Sequence, residues 1–161
     1  MTDEPEHSGL TFRRAGRADV PALINLLADD PLGRNRETPD DPAPYYAALA
    51  EIEADPKQYL AVVELGAEVI GTLQVTVIPN FGRKGMKRCL VEAVHIRPDL
   101  QGRGYGRAMM QWAIDYAREA GCGMVQLTSH HSREGAHRFY ERLGFEDTHA
   151  GFKLYLGEYQ I

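Results

Sequence analysis

The chain has 161 residues and a mass of 18.0 kDa, which is the length of one domain. Apolar residues make up 43% and charged residues 25%, as in ordinary globular proteins, so wholesale disorder is excluded. The 18 basic and 23 acidic residues give a net charge of −5, whereas a generic nucleic-acid binder carries a basic excess. We therefore expect no nucleic-acid partner.

The sequence also lacks the features of membrane and secreted proteins. No stretch approaches about 20 consecutive apolar residues, so no membrane-spanning helix is expected. The acidic, polar start has neither the basic nor the apolar region of a secretory signal, which indicates a cytoplasmic protein. We predict a disordered tail over residues 1–9 and a single domain over residues 10–161, with Cys89 and Cys122 reduced.

Charge is unevenly distributed along the chain. Residues 29–55 hold eight acids and two bases, whereas residues 83–107 hold seven bases and two acids. The first region suits a cationic partner and the second an anionic one. Solvated faces without any partner are an alternative interpretation of each region.

Hydrophobic periodicity predicts a mostly antiparallel first half. Val20, Leu23, Ile24 and Leu27 recur at helical spacing after Asp19, a plausible N-cap. Gly66 separates two strand patterns and indicates a hairpin. The predicted elements are a strand over 10–14, a helix from residue 20, a loop over 29–42, a helix over 45–54, strands over 59–64 and 69–77, a basic loop over 79–87 and a strand over 88–96.

The second half alternates between strands and helices. A strong apolar stripe predicts a helix over 104–120 that ends at Gly121. The remaining predicted elements are a strand over 124–128, a helix over 133–143 and strands over 145–148 and 152–156. The predicted fold class is mixed α/β (α+β), with one sheet of six to seven strands and about four helices.

A glycine-rich turn, QGRGYG at residues 101–106, precedes the 104–120 helix. Glycine lets main-chain N–H groups approach a bulky anion, and a helix start adds unpaired N–H groups and a positive dipole end. Arg103 and Arg107 add full charges, so the turn is typical of a pyrophosphate site, although a flexible turn is the alternative. A dinucleotide fingerprint would need a third glycine where Met109 stands, and Walker A and GxSxG motifs are absent.

The run VEAVHIRPDLQGRGYGRAMMQWAIDYAREAGC, followed by FYERLGF, resembles the GNAT superfamily of acyl-CoA-dependent N-acyltransferases. Gln101, Gly104 and Gly106 match its pyrophosphate motif. The resemblance implies acetyl-CoA as cosubstrate and a splayed sheet that holds the pantetheine arm between the strands near 91–96 and 124–128. It implies cosubstrate contacts from Val94, His95, Ile96, Gln101, Gly102, Arg103, Gly104, Tyr105, Gly106 and Arg107.

Glu92 is the candidate general base. A protonated amine must lose a proton before it attacks a thioester. In a regular strand, Leu90, Glu92, Val94 and Ile96 share one face, where a partly desolvated carboxylate would have a raised pKa. A nearby β-bulge would change this facing, and a structural salt bridge to Arg88 is the alternative role.

Tyr140 is the candidate general acid. Periodicity alone favours a core aromatic at this position. The resemblance implies instead that the tyrosine of FYERLGF lies near the CoA sulfur, where its hydroxyl can protonate the departing thiolate. In the same scheme the main-chain N–H of Val94 polarises the thioester carbonyl.

Other polar residues are weaker candidates. Many family members have an asparagine where this chain has Arg133, so Arg133 either contacts the CoA or faces solvent. Ser129 and Thr128 are candidate contacts of the pantetheine arm. The candidate acceptor contacts among the histidines are His95, His131 and His149, and no histidine pair has the i, i+4 spacing of a helical metal site.

Several functions follow from these observations. The leading hypothesis is acetyl transfer from acetyl-CoA to a small primary amine, and the family resemblance is compatible with a homodimer. The acidic residues 29–55 suit a cationic acceptor, whereas the tail AHRFYERLGFEDTHAGFKLYL is also similar to aminoalkylphosphonate N-acetyltransferases, for which the basic loop 83–88 suits an acidic acceptor. The alternatives are acetylation of a protein amine, a non-catalytic CoA-binding or sensor module, and a nicotinamide-dependent oxidoreductase.

Overall fold

The computed structural model describes residues 9–157, which divide into two compact units over residues 9–126 and 127–157. The predicted tail, residues 1–9, lies outside the described residues except for Gly9. Within residues 9–157 the five strands are β1 Leu10–Arg14, β2 Gln58–Leu65, β3 Glu68–Ile78, β4 Arg88–Ile96 and β5 Met124–Gln126. The five helices are α1 Val20–Ala28, α2 Ala43–Ala54, α3 Gly82–Gly85, α4 Tyr105–Glu119 and α5 Glu134–Arg142.

The strands of the first unit form one mixed sheet in the order β1-β2-β3-β4-β5. The first four are antiparallel, and β5 runs parallel to β4. The predicted hairpin is confirmed, because β2 and β3 join through Gly66 with a left-handed φ of 63°. Among the residues described, no helix is both long enough and apolar enough to span a membrane.

β5 is shorter than predicted and pairs with only the first part of β4. Its three residues pair with Arg88, Cys89 and Leu90. From residue 91 onward, β4 has no ladder partner on this side among the residues described. The main-chain groups of the second half of β4 are therefore left available on the β5 side.

The two faces of the sheet pack against different helices. α4 covers one face, where its residues Met109, Met110 and Ala113 and the β3 residues Leu73 and Val75 are all fully buried. α1 and α2 cover the other face, where Val20, Leu23, Ile24, Leu49 and Val62 form a second buried cluster. Burial of apolar side chains on both faces is the main stabilisation of this unit.

The strands predicted at 145–148 and 152–156 are wrong. Residues 145–157 contain no strand, so the part of the chain that the structure describes has five strands rather than six to seven. Phe152, Leu154 and Leu156 alternate as in a strand but are 86–93% exposed. Alternation alone does not make a strand, because a strand also needs a hydrogen-bonding neighbour.

The predicted basic loop at 79–87 contains the single helical turn α3. Arg83 and Lys84 have left-handed backbone there, with φ of 50° and 59°. Phe81, just before this turn, is fully exposed.

Candidate active site

A β-bulge interrupts β4 next to the predicted base. Gln74 of β3 pairs with Glu92, whereas Thr72 pairs with His95. Two residues of β4, Ala93 and Val94, therefore lie opposite the single residue between Thr72 and Gln74. Ala93 has a left-handed φ of 52°, a conformation that costs a non-glycine residue energy and is common at functional sites.

The bulge changes which side chains of β4 share a face. Glu92 lies on the α1–α2 face beside Gln74, and His95 joins it there beside Thr72. Ile96 lies on the α4 face, because a Cβ added to its partner Gly71 would be 2.9 Å from Ile96 Cδ1 and 3.1 Å from Met109 Sδ. The predicted common face of Leu90, Glu92, Val94 and Ile96 is therefore wrong, since that prediction assumed a regular strand.

Glu92 lies in a more open environment than predicted. Its side chain is exposed rather than enclosed among apolar neighbours. The alternative pairing with Arg88 is not formed, and none of the ion pairs found within residues 9–157 includes Glu92. The carboxylate is accessible to a substrate or a water molecule from the α1–α2 side.

His95 forms a polar contact that the sequence did not reveal. Its Nε2 lies 3.2 Å from Asp30 Oδ2, with the two side chains 17% and 14% exposed. The other oxygen of Asp30 accepts hydrogen bonds from the main-chain N–H groups of Leu32 at 2.7 Å and Gly33 at 3.3 Å. His95 Nδ1 is buried without a hydrogen-bond partner. Asp30 therefore ties the loop after α1 to β4.

The glycine turn lies between the end of β4 and the start of α4, as expected from the sequence. Gly102 and Gly104 have left-handed φ angles of 76° and 86°, and α4 begins at Tyr105. The amide of Gln101 donates a hydrogen bond of 3.2 Å to the main-chain oxygen of Ile96, which fixes the turn to the end of β4. A Cβ at Gly102 would meet no atom within 4 Å, so the space beside the turn is open to a ligand.

The surroundings of this turn suit an anion. Arg103 and Arg107 are exposed, and the first turn of α4 contains no acidic residue. The first N–H groups of a helix have no partner within the helix and carry its positive dipole end. The residues present therefore fit the pyrophosphate of CoA.

The second unit contains the other predicted site residues. Tyr140 of α5 is half-buried and contacts the rings of Phe139 and Phe145 edge-on, with centroid distances of 5.2 and 5.8 Å. Burial raises the pKa of Tyr140 above its ordinary value, and the nearby charge of Arg133 opposes this shift. Ser129 Oγ is buried without a hydrogen-bond partner.

Several histidines of the second unit have local partners. His137 contacts the main-chain oxygen of His130 at 2.9 Å, and His149 contacts Thr148 Oγ1 at 2.6 Å. His131 is exposed. The predicted acceptor contacts of His131 and His149 remain predictions.

A cavity of about 140 Å³ lies between α1, α2 and the face of the sheet that carries Glu92. We call it the α1–α2 cavity. It reaches the bulge, because Ala93 is part of its wall. The wall is formed by Val20, Leu23, Ile24, Leu27, Tyr45, Ala48, Leu49, Ile52, Leu60, Thr72, Gln74 and Ala93.

Asp30, Gln74 and Ala93 are the residues of this region that sequence reasoning missed. In the sequence Asp30 is one of eight acids in residues 29–55, and the only local signal of its role is its position two residues before Leu32 and three before Gly33, the spacing of an Asx turn. The positions of Gln74 and Ala93 depend on strand register, which leaves no local pattern in the sequence.

Comparison with known proteins shows the class of protein to which this fold belongs. The model of the acetyltransferase (GNAT) family matches residues 20–145. The chain therefore belongs to the GNAT family, and the predicted resemblance is confirmed.

Two curated relatives are named for activities on small molecules. Streptothricin acetyltransferase of Streptomyces lavendulae is 32% identical over 84% of this chain and 68% of that protein. Aminoalkylphosphonate N-acetyltransferase of Salmonella typhimurium is 28% identical over 61% of this chain and 63% of that protein. The chain spans less than two thirds of the length of several curated relatives, including the Salmonella protein.

A solved structure has the same fold. A protein described as a transcriptional regulator from Bacillus halodurans C-125 superposes with a TM-score of 0.88 and is 39% identical, over 91% of this chain and 99% of that chain.

Proposed function

We propose that this protein transfers an acetyl group from acetyl-CoA to the primary amine of a small molecule, by direct attack with both substrates bound. Membership of the GNAT family supports this proposal, as do the names of the streptothricin and aminoalkylphosphonate relatives. The observation that carries it is the pair of left-handed glycines, Gly102 and Gly104, between the bulged strand β4 and the start of α4.

In this proposal the cosubstrate binds along the end of β4 and the start of α4. The main-chain N–H groups of Gly102 to Gly106 and the charges of Arg103 and Arg107 hold the pyrophosphate. The free main-chain edge of β4 at Val94, His95 and Ile96 receives the amides of the pantetheine arm. Ser129 and Arg133 of the second unit are further proposed contacts of this arm.

The chemical step needs a base, a carbonyl-polarising group and an acid. Glu92 takes a proton from the ammonium form of the acceptor, directly or through a water molecule. The new N–C bond forms at the thioester carbon while the main-chain N–H of Val94 stabilises the carbonyl oxygen. The C–S bond breaks, and Tyr140 gives its proton to the CoA sulfur. A raised pKa keeps the Tyr140 hydroxyl protonated until this step.

The test measures CoA release with a panel of amines. We expect Glu92→Gln and Tyr140→Phe to bind acetyl-CoA normally in calorimetry and to lose about 10²–10⁴-fold in kcat, the usual contribution of a general acid or base. Glu119→Gln, which changes another exposed glutamate at the end of α4, is the matched control and should keep full activity.

Three results would contradict the proposal. Full activity in both variants would exclude Glu92 and Tyr140 as the base and acid. Binding of acetyl-CoA without thiol release for any amine would favour a CoA-binding module. Stabilisation of the fold by NAD but not by acetyl-CoA in a thermal-shift experiment would favour an oxidoreductase.

A further inference from the structure

We infer that the acceptor is a primary amine carried on a compact apolar body, such as a branched alkyl chain or a single aromatic ring, held in the α1–α2 cavity. This inference rests on the proposed acetyl transfer and names the substrate class of that site. Three observations carry it: the contents of the cavity wall, the volume of the cavity and its position relative to the bulge.

The cavity wall carries no charged side chain. Nine of its twelve residues are Ala, Val, Leu or Ile, and the other three are Tyr45, Thr72 and Gln74. A polyamine or an amino sugar would lose hydration in this cavity without gaining charged or well-distributed polar partners.

The three polar side chains of the wall already have protein partners. The Tyr45 hydroxyl donates to Glu37 Oε2 at 2.6 Å and accepts from the main-chain N–H of Thr38 at 2.9 Å. The Thr72 hydroxyl donates to the main-chain oxygen of Ala61 at 2.8 Å. The Gln74 amide donates to Gln58 Oε1 at 2.9 Å. The surface left for a ligand is therefore mainly apolar.

The cavity volume limits the size of the apolar body. An apolar cavity of about 150 Å³ accepts a benzene molecule. The α1–α2 cavity, at about 140 Å³, therefore suits a six-membered ring or a branched chain of similar bulk. A longer chain would have to leave the cavity.

The position of the cavity indicates which end holds the amine and which end holds the apolar body. At Ala93 the wall reaches the bulge, and the preceding residue Glu92 presents an exposed carboxylate on the same side of the sheet. An amine at this end is next to the proposed base while its body lies between α1 and α2. The acids of residues 29–55, including Asp30 beside His95, attract the ammonium form before it enters.

The same position disfavours an acidic acceptor. The basic residues Arg83, Lys84 and Arg88 lie at the other end of the β3–β4 pair. Five residues of extended strand separate Arg88 from Ala93, which is about 17 Å at 3.3 Å per residue. The phosphonate of a small aminoalkylphosphonate could not reach these bases while its amine lies at the bulge.

A neighbouring cavity provides a contrast. Its volume is about 300 Å³, and its wall includes Arg14, Glu53 and Asp55 but none of the residues that the structure describes in β4. It is larger and carries charge, but it does not reach the bulge. We therefore do not assign the reacting amine to it.

The first test is a homologous series of primary amines from ethylamine to hexylamine, with isopentylamine and benzylamine, measured as kcat/KM with saturating acetyl-CoA. We expect kcat/KM to rise about fourfold for each methylene group that the cavity buries, and to stop rising once the cavity is full. 2-Aminoethylphosphonate, spermidine and a lysine peptide should be poorer than isopentylamine by at least tenfold. A flat series, or a preference for any of these three charged acceptors, would overturn the inference while leaving acetyl transfer intact.

The second test fills the cavity from its edge. Ala48 is exposed on α2 and forms part of the wall, so Ala48→Phe should narrow the cavity without disturbing the core. Ala50 is also exposed but lies about 200° around the same helix, which makes Ala50→Phe the matched control. We expect KM for isopentylamine to rise at least tenfold in Ala48→Phe, with KM for ethylamine and for acetyl-CoA unchanged, and no change in Ala50→Phe.

Failure of the proposed function would be distinguishable from failure of this inference. If no amine supports CoA release, acetyl transfer to amines is wrong, and binding then decides the role of the cavity. Isopentylamine should still raise the melting temperature of the wild-type protein and of Ala50→Phe but not of Ala48→Phe. Equal shifts in all three proteins, or no shift in any, would overturn the assignment of the cavity.

Discussion

The two faces of the β3–β4 pair differ in what they contain. The α4 face presents Leu73, Val75 and Val91, which are at most 2% exposed. The α1–α2 face presents Gln74 and Glu92, together with a cavity. The contrast indicates that the α4 face of this strand pair is filled by buried apolar side chains, whereas the α1–α2 face adds polar groups and a cavity to its apolar cluster.

The bulge at Ala93 and Val94 produces much of this difference. It keeps Ile96 on the α4 face while placing His95 on the α1–α2 face, next to Thr72. An uninterrupted strand would reverse both side chains, because successive residues of a strand point to opposite faces. Because of this extra residue, Ile96 lies on the apolar α4 face while the neighbouring His95 contacts Asp30 on the opposite face.

The largest effect should come from truncation on the α4 face. Leu73→Ala removes a fully buried side chain, and we expect it to lower the free energy of unfolding by about 2–5 kcal/mol. Gln74→Ala, its neighbour on the other face, should cost less than about 1 kcal/mol but should change KM for the amine. Urea denaturation and steady-state kinetics on both variants test this contrast, and equal losses of stability would remove the distinction between the faces.

The second-largest loss of stability is expected for Gly33→Ala, in the loop that Asp30 connects to β4. A Cβ at Gly33 would lie 1.9 Å from the main-chain oxygen of Leu27, so Gly33→Ala must displace backbone. We expect a loss of about 1–3 kcal/mol in stability and a higher KM for the amine. Gly135→Ala is the control, because its Cβ would meet no atom within 4 Å and alanine favours the helix α5. Thermal unfolding of the two variants should shift in opposite directions.

A smaller effect is expected when the contact between Asp30 and His95 is weakened. Asp30→Asn keeps the size of the side chain but removes its charge, and should cost about 1–2 kcal/mol of stability. KM for the amine should rise several-fold while KM for acetyl-CoA stays the same, because the contact lies on the α1–α2 face. A change in KM for acetyl-CoA alone would contradict the placement of Asp30 near the amine.

The smallest loss of stability is expected for the ion cluster of Arg13, Asp19 and Glu64, which lies outside the β3–β4 pair. Hydrogen bonds from Arg13, at 2.8 Å, hold the pKa of Asp19 below its usual range, and Arg13 also lowers the pKa of Glu64. A carboxyl group whose pKa is lower in the folded protein than in the unfolded chain stabilises the fold. This stabilisation is complete above the ordinary pKa of about 4, and it is lost as the pH falls through the lower pKa of the folded protein. We therefore expect Asp19→Asn to cost about 1 kcal/mol at pH 7 and progressively less below pH 4. A cost that does not change between pH 7 and pH 3 would exclude this linkage.

Local patterns predicted most of the elements but not those that need a distant partner. The strands at 10–14 and 88–96 and the helix after the glycine turn agree with the structure, because alternation, helical spacing and glycine act within a few residues. The patterns at 145–148 and 152–156 are equally regular, yet no strand forms there. Their failure shows that an alternating pattern does not by itself make a strand, just as the continuous apolar run of β2 forms one without alternating.

The sequence by itself determined the family and the position of the glycine turn, because the spacing of Gln101, Gly104 and Gly106 is local and matches a known motif. Only the tertiary structure decided which side chains share a face with Glu92. That outcome depends on how β4 pairs with β3, and a register shift of one residue is invisible in either strand alone. The contact of Asp30 with His95 was likewise decided by packing, because it joins residues 65 positions apart.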